Sequence, residues 1–196
     1  MTSGRALYLD AAKVISACLV VYWHTVFMDA GINRILLPLR MPLFFLVSGF
    51  FAGKAMELNW KDFASRKFLS LVYLYVLWSV ILYFTLEMWV DILKGNQTSP
   101  THLLLIFIDP PRTIWFLYAL ALAYLAGYLT WRIPRHLVLM VAFAIYFLPD
   151  VIPHASREGD LLTRVCRLVP FFLLALRYGP DLRRFIVSAV LSPPSY

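Results

Sequence analysis

Charged side chains are scarce in this sequence of 196 residues. Asp, Glu, Lys and Arg together make up 15% of it, whereas hydrophobic residues make up 61% and the mean hydropathy is +0.73. A soluble domain has roughly 25% charged residues, because its surface must face water. The composition therefore excludes an ordinary soluble domain and predicts an all-α, polytopic bundle of transmembrane helices.

Several motifs that would indicate other functions are missing as well. The two cysteines, Cys18 and Cys166, are far apart, so neither a disulfide framework nor a CxxC metal site is predicted. The sequence has no HExxH pattern and no glycine-rich phosphate loop, which argues against a metal site and ATP-driven chemistry. The net charge of +7 comes from short basic segments between apolar runs. This distribution is typical of membrane topology signals rather than of nucleic-acid binding.

Long apolar runs are what the sequence does contain. A helix needs roughly 20 mostly apolar residues to cross a bilayer. Six runs predict such helices, the second with two prolines that predict an irregular start, and they cover residues 7–27, 35–51, 68–89, 113–131, 136–148 and 161–178. The apolar residues after Arg184 predict the beginning of a seventh helix that is too short to cross.

Basic residues between the runs predict the orientation of the helices. With the N-terminus inside, ten lysines and arginines lie on the inner side and seven on the outer side. The loop after the second run contributes most to this difference through Lys54, Lys61, Arg66 and Lys67. We therefore expect the N-terminus to lie inside.

Two ionisable residues interrupt the first apolar run. Lys13 and His24 are eleven residues apart, so on an α-helix both project from one face, about 16 Å apart along the axis. An ionisable group inside a membrane helix costs at least about 2.5 kcal/mol and indicates a function by default. Histidine is suited to general-base chemistry and lysine to binding an anionic substrate. The alternative is that both side chains reach the membrane interfaces and have no catalytic role.

This pattern resembles the acyltransferase 3 family, membrane-bound enzymes that O-acylate bacterial glycans and some small molecules. Members have a basic residue, ten residues and then a histidine in the first helix, which is the spacing of Lys13 and His24. Further blocks resemble the family in the same order: MPLFFLVSGFF (41–51), SRKFLSLVYLYVLWS (65–79), IWFLYALALAYL (114–125) and RLVPFFLLA (167–175). Together they cover most of the chain.

The resemblance implies transfer of an acetyl or other short acyl group from acyl-CoA to a hydroxyl of a glycan or related acceptor, in the bacterial inner membrane. It implies that His24 is catalytic with Lys13 as its basic partner, and that Lys13, Arg66 and Arg40 bind the donor. Arg40 stands where many relatives have histidine, and Leu69 where some have a second arginine. Acyl-CoA is then a substrate, with no tightly bound cofactor and no metal implied. The bilayer is the chain's surroundings, and a homo-oligomer is compatible with the resemblance.

The length of the chain and the alternatives qualify this interpretation. The family usually has about ten helices, so six spans and a fragment predict a single acyltransferase-like domain over residues 1–196, shortened at its C-terminus. A component of a transporter or flippase, and a non-catalytic remnant of the family, are the alternative functions. Arg164 and Arg167 at the start of the sixth run either line a cavity, pair with Asp160 or reach the interface.

Overall fold

The structure, a computed structural model, describes residues 11, 14, 15, 18, 30–93, 114–151 and 161–191. Within these ranges the chain is helical and contains no strand, as the sequence predicts. The α-helices are α1 (Ala30–Met56), α2 (Trp60–Phe63), α3 (Leu69–Leu82), α4 (Met88–Leu93), α5 (Trp115–Thr130), α6 (Arg135–Val151) and α7 (Leu161–Leu191). Two π-helical turns, Ala64–Phe68 and Tyr83–Glu87, join α2, α3 and α4 into one rod.

Two boundaries differ from the sequence prediction. The irregular start predicted from Pro38 and Pro42 is wrong, because α1 runs through both prolines. Each proline costs one backbone hydrogen bond, and the packing of α1 against α7 outweighs this loss. A separate seventh helix is also wrong, since residues 185–191 continue α7 beyond Pro180. The turn at Pro180 is held by an ion pair between Asp181 and Arg135 of α6, whose atoms are 2.7 Å apart.

One long apolar helix stands out among the described residues. Helix Trp60–Val90 is long and apolar enough to cross a membrane by length and composition, and it includes the predicted span 68–89. Helix α5 is apolar but shorter, at 16 residues. The first predicted span, 7–27, lies almost wholly outside the described residues.

Contacts between the helices define their directions. Phe44 of α1 packs edge-on against Phe116 at the start of α5, with ring centroids 5.7 Å apart, while Met56 at the end of α1 lies beside Gly127 near the end of α5. These two helices are therefore parallel. The rod is antiparallel to α5, because Phe63 near its start stacks on Tyr128 at the end of α5, at 4.1 Å.

Helix α7 completes this alternating order. It is antiparallel to α6, since ion pairs join Arg135 to Asp181 at one end and Asp150 to Arg167 at the other. It is parallel to α5, because Arg177 contacts the backbone at the end of α5. Helices α1, α5 and α7 thus run one way, whereas the rod and α6 run the other way.

The core lies where α7 packs between α1, α5 and α6. Fully buried Phe45 and Phe172 are at its centre, together with Ala52, Ala123 and Leu176. Glycines bring the helices close together here. A Cβ atom on Gly49 of α1 would lie 2.3 Å from the Phe172 carbonyl oxygen and 3.0 Å from Ala175 Cβ. Small residues at helix crossings allow such close packing.

This contact predicts opposite effects for two glycines of the same helix. Gly49→Ala should destabilise the fold by about 1–3 kcal/mol, since the added methyl group forces α7 away. Gly53→Ala should stabilise it by about 0.5–1 kcal/mol, because nothing lies within 4 Å of its Cβ position and alanine is the better helix former. Thermal unfolding of the detergent-solubilised protein, followed by circular dichroism, measures both. Equal stability of the two variants would contradict the close approach.

Candidate functional site

The four residues predicted for the site differ in what the structure says of them. Lys13 and His24 lie outside the described residues, so their shared helix face and their roles stay predictions. Arg40 and Arg66 are both described. The described part of the candidate site therefore consists of Arg40, Arg66 and the basic residues around Arg66.

Basic side chains gather at one end of the bundle, which we call the basic end. It is formed by the end of α1, the first two turns of the rod, the end of α5, the start of α6 and residues 177–181 of α7. Its described cations are Lys54, Lys61, Arg66, Lys67, Arg132, Arg135 and Arg177, and its carboxylates are Glu57, Asp62 and Asp181. All of the cations except Arg177 are exposed. Because cations outnumber carboxylates and face solvent, this end can attract an anionic ligand such as a phosphate.

Arg66 is positioned by a capped helix start and a π-helical turn. The Asn59 side chain accepts a hydrogen bond from the backbone N–H of Asp62 at 2.9 Å and donates one to its carboxylate at 2.8 Å. That carboxylate also pairs with Arg66 Nε, at 3.3 Å. Arg66 lies in the π-turn Ala64–Phe68, a feature frequent at functional sites. The Arg66 side chain is 71% exposed, so a phosphate can reach it without displacing the core.

Arg177 is a residue of the basic end whose role the sequence did not predict. Its guanidinium donates hydrogen bonds to the carbonyl oxygens of Thr130 and Trp131, the latter at 2.8 Å, and stacks 5.0 Å above the Trp131 ring. The Thr130 carbonyl also accepts a hydrogen bond from the Ile133 backbone N–H at 2.9 Å, so Arg177 adds a second donor there and supplies a donor to the Trp131 carbonyl. In the sequence it is one arginine among several, and only the parallel packing of α5 and α7 brings it to that helix end.

Arg135 also joins two helices at the basic end. It pairs with Asp181 of α7 at 2.7 Å and lies 5.1 Å above the ring of Tyr178. Arg177 thus holds the end of α5 against α7, and Arg135 holds the start of α6 against α7.

Arg40 lies far from these groups. It is 3% exposed and sixteen residues before Met56, which places it about 24 Å along α1 from the basic end. The structure therefore does not bring Arg40 and Arg66 together around one ligand group. A donor that contacts both must be elongated and lie along the bundle.

The end of the bundle opposite the basic end holds the two arginines at the start of α7. Arg164 stacks 4.8 Å above the ring of Trp115, and Arg167 pairs with Asp150 of α6 at 2.8 Å. Arg167 thus finds its carboxylate across the helix interface, whereas Asp160 lies outside the described residues. Both side chains are held in the packing of α7 with its neighbours.

No metal centre is formed by the described part of the chain. No group of three or more His, Cys, Asp or Glu side chains in it is close enough to hold a metal ion. Cys166 of α7 is buried and forms no disulfide.

Comparison with known families identifies the chain. A family model for acyltransferase 3, described as an acyltransferase domain, matches residues 6–185. The chain belongs to the acyltransferase 3 family. The matched range includes Lys13, His24, Arg40 and Arg66, so the recognition made from the sequence motifs is confirmed. No curated protein and no solved structure matches this family member.

The role of Arg177 in this fold can be separated from its charge. Arg177→Met should destabilise the protein by about 1–3 kcal/mol, because it removes the side-chain donor to the Trp131 carbonyl and one of the two donors to the Thr130 carbonyl. Arg135→Met removes the same charge together with an exposed ion pair and an exposed contact with the Tyr178 ring, and no backbone carbonyl loses a donor, so it should cost at most about 1 kcal/mol. Chemical unfolding of both variants in detergent measures the difference. If Arg135→Met lowers the free energy of unfolding as much as Arg177→Met or more, the proposed support of α5 by Arg177 is wrong.

Proposed function

We propose that this chain is an integral membrane O-acyltransferase that moves an acetyl or other short acyl group from acyl-CoA to a hydroxyl of a glycan or related acceptor. Membership of the acyltransferase 3 family supports acyl transfer. The gathering of exposed cations at one end of the bundle is the structural observation that carries the choice of donor, because CoA is rich in phosphates.

The proposed location is the bacterial inner membrane, with six spans and the N-terminus inside. The rod supports it, since large apolar side chains such as Leu69, Tyr73, Trp78 and Phe84 are exposed along it, Tyr73 at 67%. Such a surface is stable in lipid and unfavourable in water. The alternating directions of α1, the rod, α5, α6 and α7 are those that consecutive spans would have.

The donor is proposed to bind with its phosphates at the basic end. Arg66 is exposed there, with its carboxylate partner engaging only one side of the guanidinium. Its remaining donors suit a phosphate. In the proposed orientation the basic end faces the cytoplasm, where acyl-CoA is made. The acyl end of the donor would then extend along the bundle toward the depth of Arg40.

The proposed chemistry places His24 as the general base. Its imidazole takes the proton of the acceptor hydroxyl while the hydroxyl oxygen attacks the thioester carbonyl carbon. The carbon–sulfur bond breaks, and the CoA thiolate leaves and takes up the proton from the imidazolium. Lys13, three helical turns away, contributes a cation to hold the anionic donor.

Acyl transfer in membranes tests this assignment. Membranes containing the full chain are given labelled acetyl-CoA, and label is sought in extracted glycans and lipids. His24→Ala should lower transfer by about 10²–10⁴-fold, the usual contribution of a general base. Lys13→Ala should also abolish most transfer. The matched control is His136→Ala, an exposed histidine in the first turn of α6, which should leave transfer unchanged.

The outcomes of this assay separate the proposal from its alternatives. Label that appears with the parent chain and is lost with both variants, at equal protein levels, supports the enzyme and its two residues. If the inserted parent transfers no label, a transporter component or a non-catalytic member of the family becomes the better interpretation.

Arg66 generates a separate prediction about the donor. Arg66→Ala should raise the KM for acyl-CoA roughly tenfold with little change in kcat, since it removes one charge-assisted contact to a phosphate. Arg167→Ala, which removes an arginine at the opposite end of the bundle, is the control and should leave this KM unchanged. A kinetic titration of acyl-CoA at saturating acceptor measures both. Equal KM values for Arg66→Ala and the parent would place the phosphates elsewhere.

A further inference from the structure

An apolar groove lies on the outer side of the bundle between α6 and α7. Its volume is about 330 Å³, and its walls include Leu139, Ala142, Phe143 and Phe147 of α6 with Pro170 and Leu174 of α7. Ala142, with its small side chain, and Pro170, which lacks a backbone N–H, both line the groove. The lining is almost wholly carbon, so the groove suits a hydrocarbon ligand of a size typical for binding pockets.

Two ion pairs bound this groove along the bundle. Arg135 and Asp181 join α6 to α7 at one end, and Asp150 and Arg167 join them at the other. The α6 residues of these two ion pairs, Arg135 and Asp150, are fifteen residues or about 22 Å apart along the helix. This length lies within the roughly 30 Å of a bilayer's hydrocarbon core. The groove lining itself runs from Leu139 to Phe147, eight residues or about 12 Å, so the groove can hold a segment of an acyl chain.

The charge at the two ends of the groove is unequal. At the far end Arg167 and Asp150 form a neutral pair, and Arg164 stacks on Trp115 of α5. At the basic end the turn into α6 and its first residue carry Arg132 and Arg135, and α7 contributes the carboxylate of Asp181, while Arg177 is bound to the carbonyls at the end of α5. Arg135 is one helical turn from Leu139 of the groove wall, and its contact with Asp181 engages one of its five N–H donors through Nη1. A ligand with an apolar chain and an anionic head thus has one favoured direction.

We infer that the groove binds an acyl chain of an anionic phospholipid, with the headgroup phosphate at Arg132 and Arg135. This inference rests on the membrane location proposed above. Basic residues at the mouth of an apolar groove between membrane helices suit anionic lipid headgroups. The outer face of α6 beside the groove exposes Met140 and Val141, so a bound chain would be continuous with the surrounding lipid. The bound lipid holds α6 against α7 where their side chains leave space.

Photolabelling of the full chain in lipid nanodiscs tests the inference. The nanodiscs contain phosphatidylcholine and a small amount of phosphatidylglycerol with a diazirine in the middle of one acyl chain, and the labelled peptides are mapped by mass spectrometry. Labelling of residues 139–147 and 170–174 should exceed that of the apolar face of Trp60–Val90, the internal reference for lipid contact. Excess unlabelled phosphatidylglycerol should suppress the groove signal and leave the reference unchanged.

Two tryptophan variants test the position of the chain. Leu174→Trp fills the groove from a side chain that is 43% exposed, and should remove the excess labelling. Met140→Trp adds the same ring to the outer face of α6, at a position that is 67% exposed and outside the groove lining, and should keep it.

The headgroup is tested with Arg132→Gln. This variant should reduce the preference for phosphatidylglycerol over a phosphatidylcholine probe about fivefold, the effect of one basic residue near an anionic lipid. Equal preference in the variant and the parent would overturn the headgroup assignment.

Three further results would overturn the inference. If labelling of the groove is no higher than that of the reference helix, the groove contacts only the lipid that surrounds the protein. An equal effect of the two tryptophan variants would lead to the same conclusion. Absence of groove labelling together with crosslinks between chains would show that a second copy covers it. If Trp60–Val90 itself is not labelled, the membrane location fails, and this result is distinct from failure at the groove alone.

Discussion

The close approach of α7 to α1 at Gly49 is the constraint on which the rest of the bundle depends. The distance between a Cβ at this position and the Phe172 carbonyl oxygen would be 2.3 Å, far below any normal contact. Gly127 plays the same part on α5, where a Cβ would lie 2.9 Å from Leu176 Cδ2. In the membrane location proposed above, water cannot drive helices together, and dense packing of this kind would supply the association.

The position of α7 then determines the polar contacts at both ends. With α7 parallel to α5, Arg177 reaches the carbonyls of Thr130 and Trp131. With α7 antiparallel to α6, Asp181 and Arg167 each meet a partner of opposite charge. The charged groups therefore lie at the ends of the helices and the apolar side chains between them, an arrangement that avoids the cost of ions in hydrocarbon. Among the residues that the structure describes, the exception is Arg40, which is buried about 24 Å from the end of α1.

The functional interpretation combines two kinds of evidence that do not overlap. The family match covers residues 6–185, a range that includes Lys13 and His24. The structure describes the cationic end of the bundle and the helices that build it, and the chemistry proposed for His24 comes from the resemblance. The two are consistent in one respect: the basic entry to the third predicted span, with Arg66, lies at the end where the other exposed cations gather.

Composition and periodicity were sufficient to predict the helical class and most helix positions, and the resemblance of the motifs was sufficient to predict the family. Long apolar runs broken by basic segments leave few alternatives to helices, and the spacing of Lys13 and His24 survives in any helical structure because it depends only on the helical repeat. The sequence also predicted which basic residues share a side. The contacts of Phe44 with Phe116 and of Phe63 with Tyr128 give the helix directions, and these directions put the described basic residues of that side at one end of the bundle.

Only the tertiary structure decided the features that depend on contacts between distant residues. Pro38, Pro42 and Pro180 look like helix boundaries by local preference, yet the helices continue because packing against neighbours outweighs one lost hydrogen bond. Arg177 resembles any other arginine until α5 and α7 are placed side by side. The separation of Arg40 from Arg66 and the groove between α6 and α7 likewise follow from helix pairing, which is set by side-chain shape across the interface and leaves no periodic trace in the sequence.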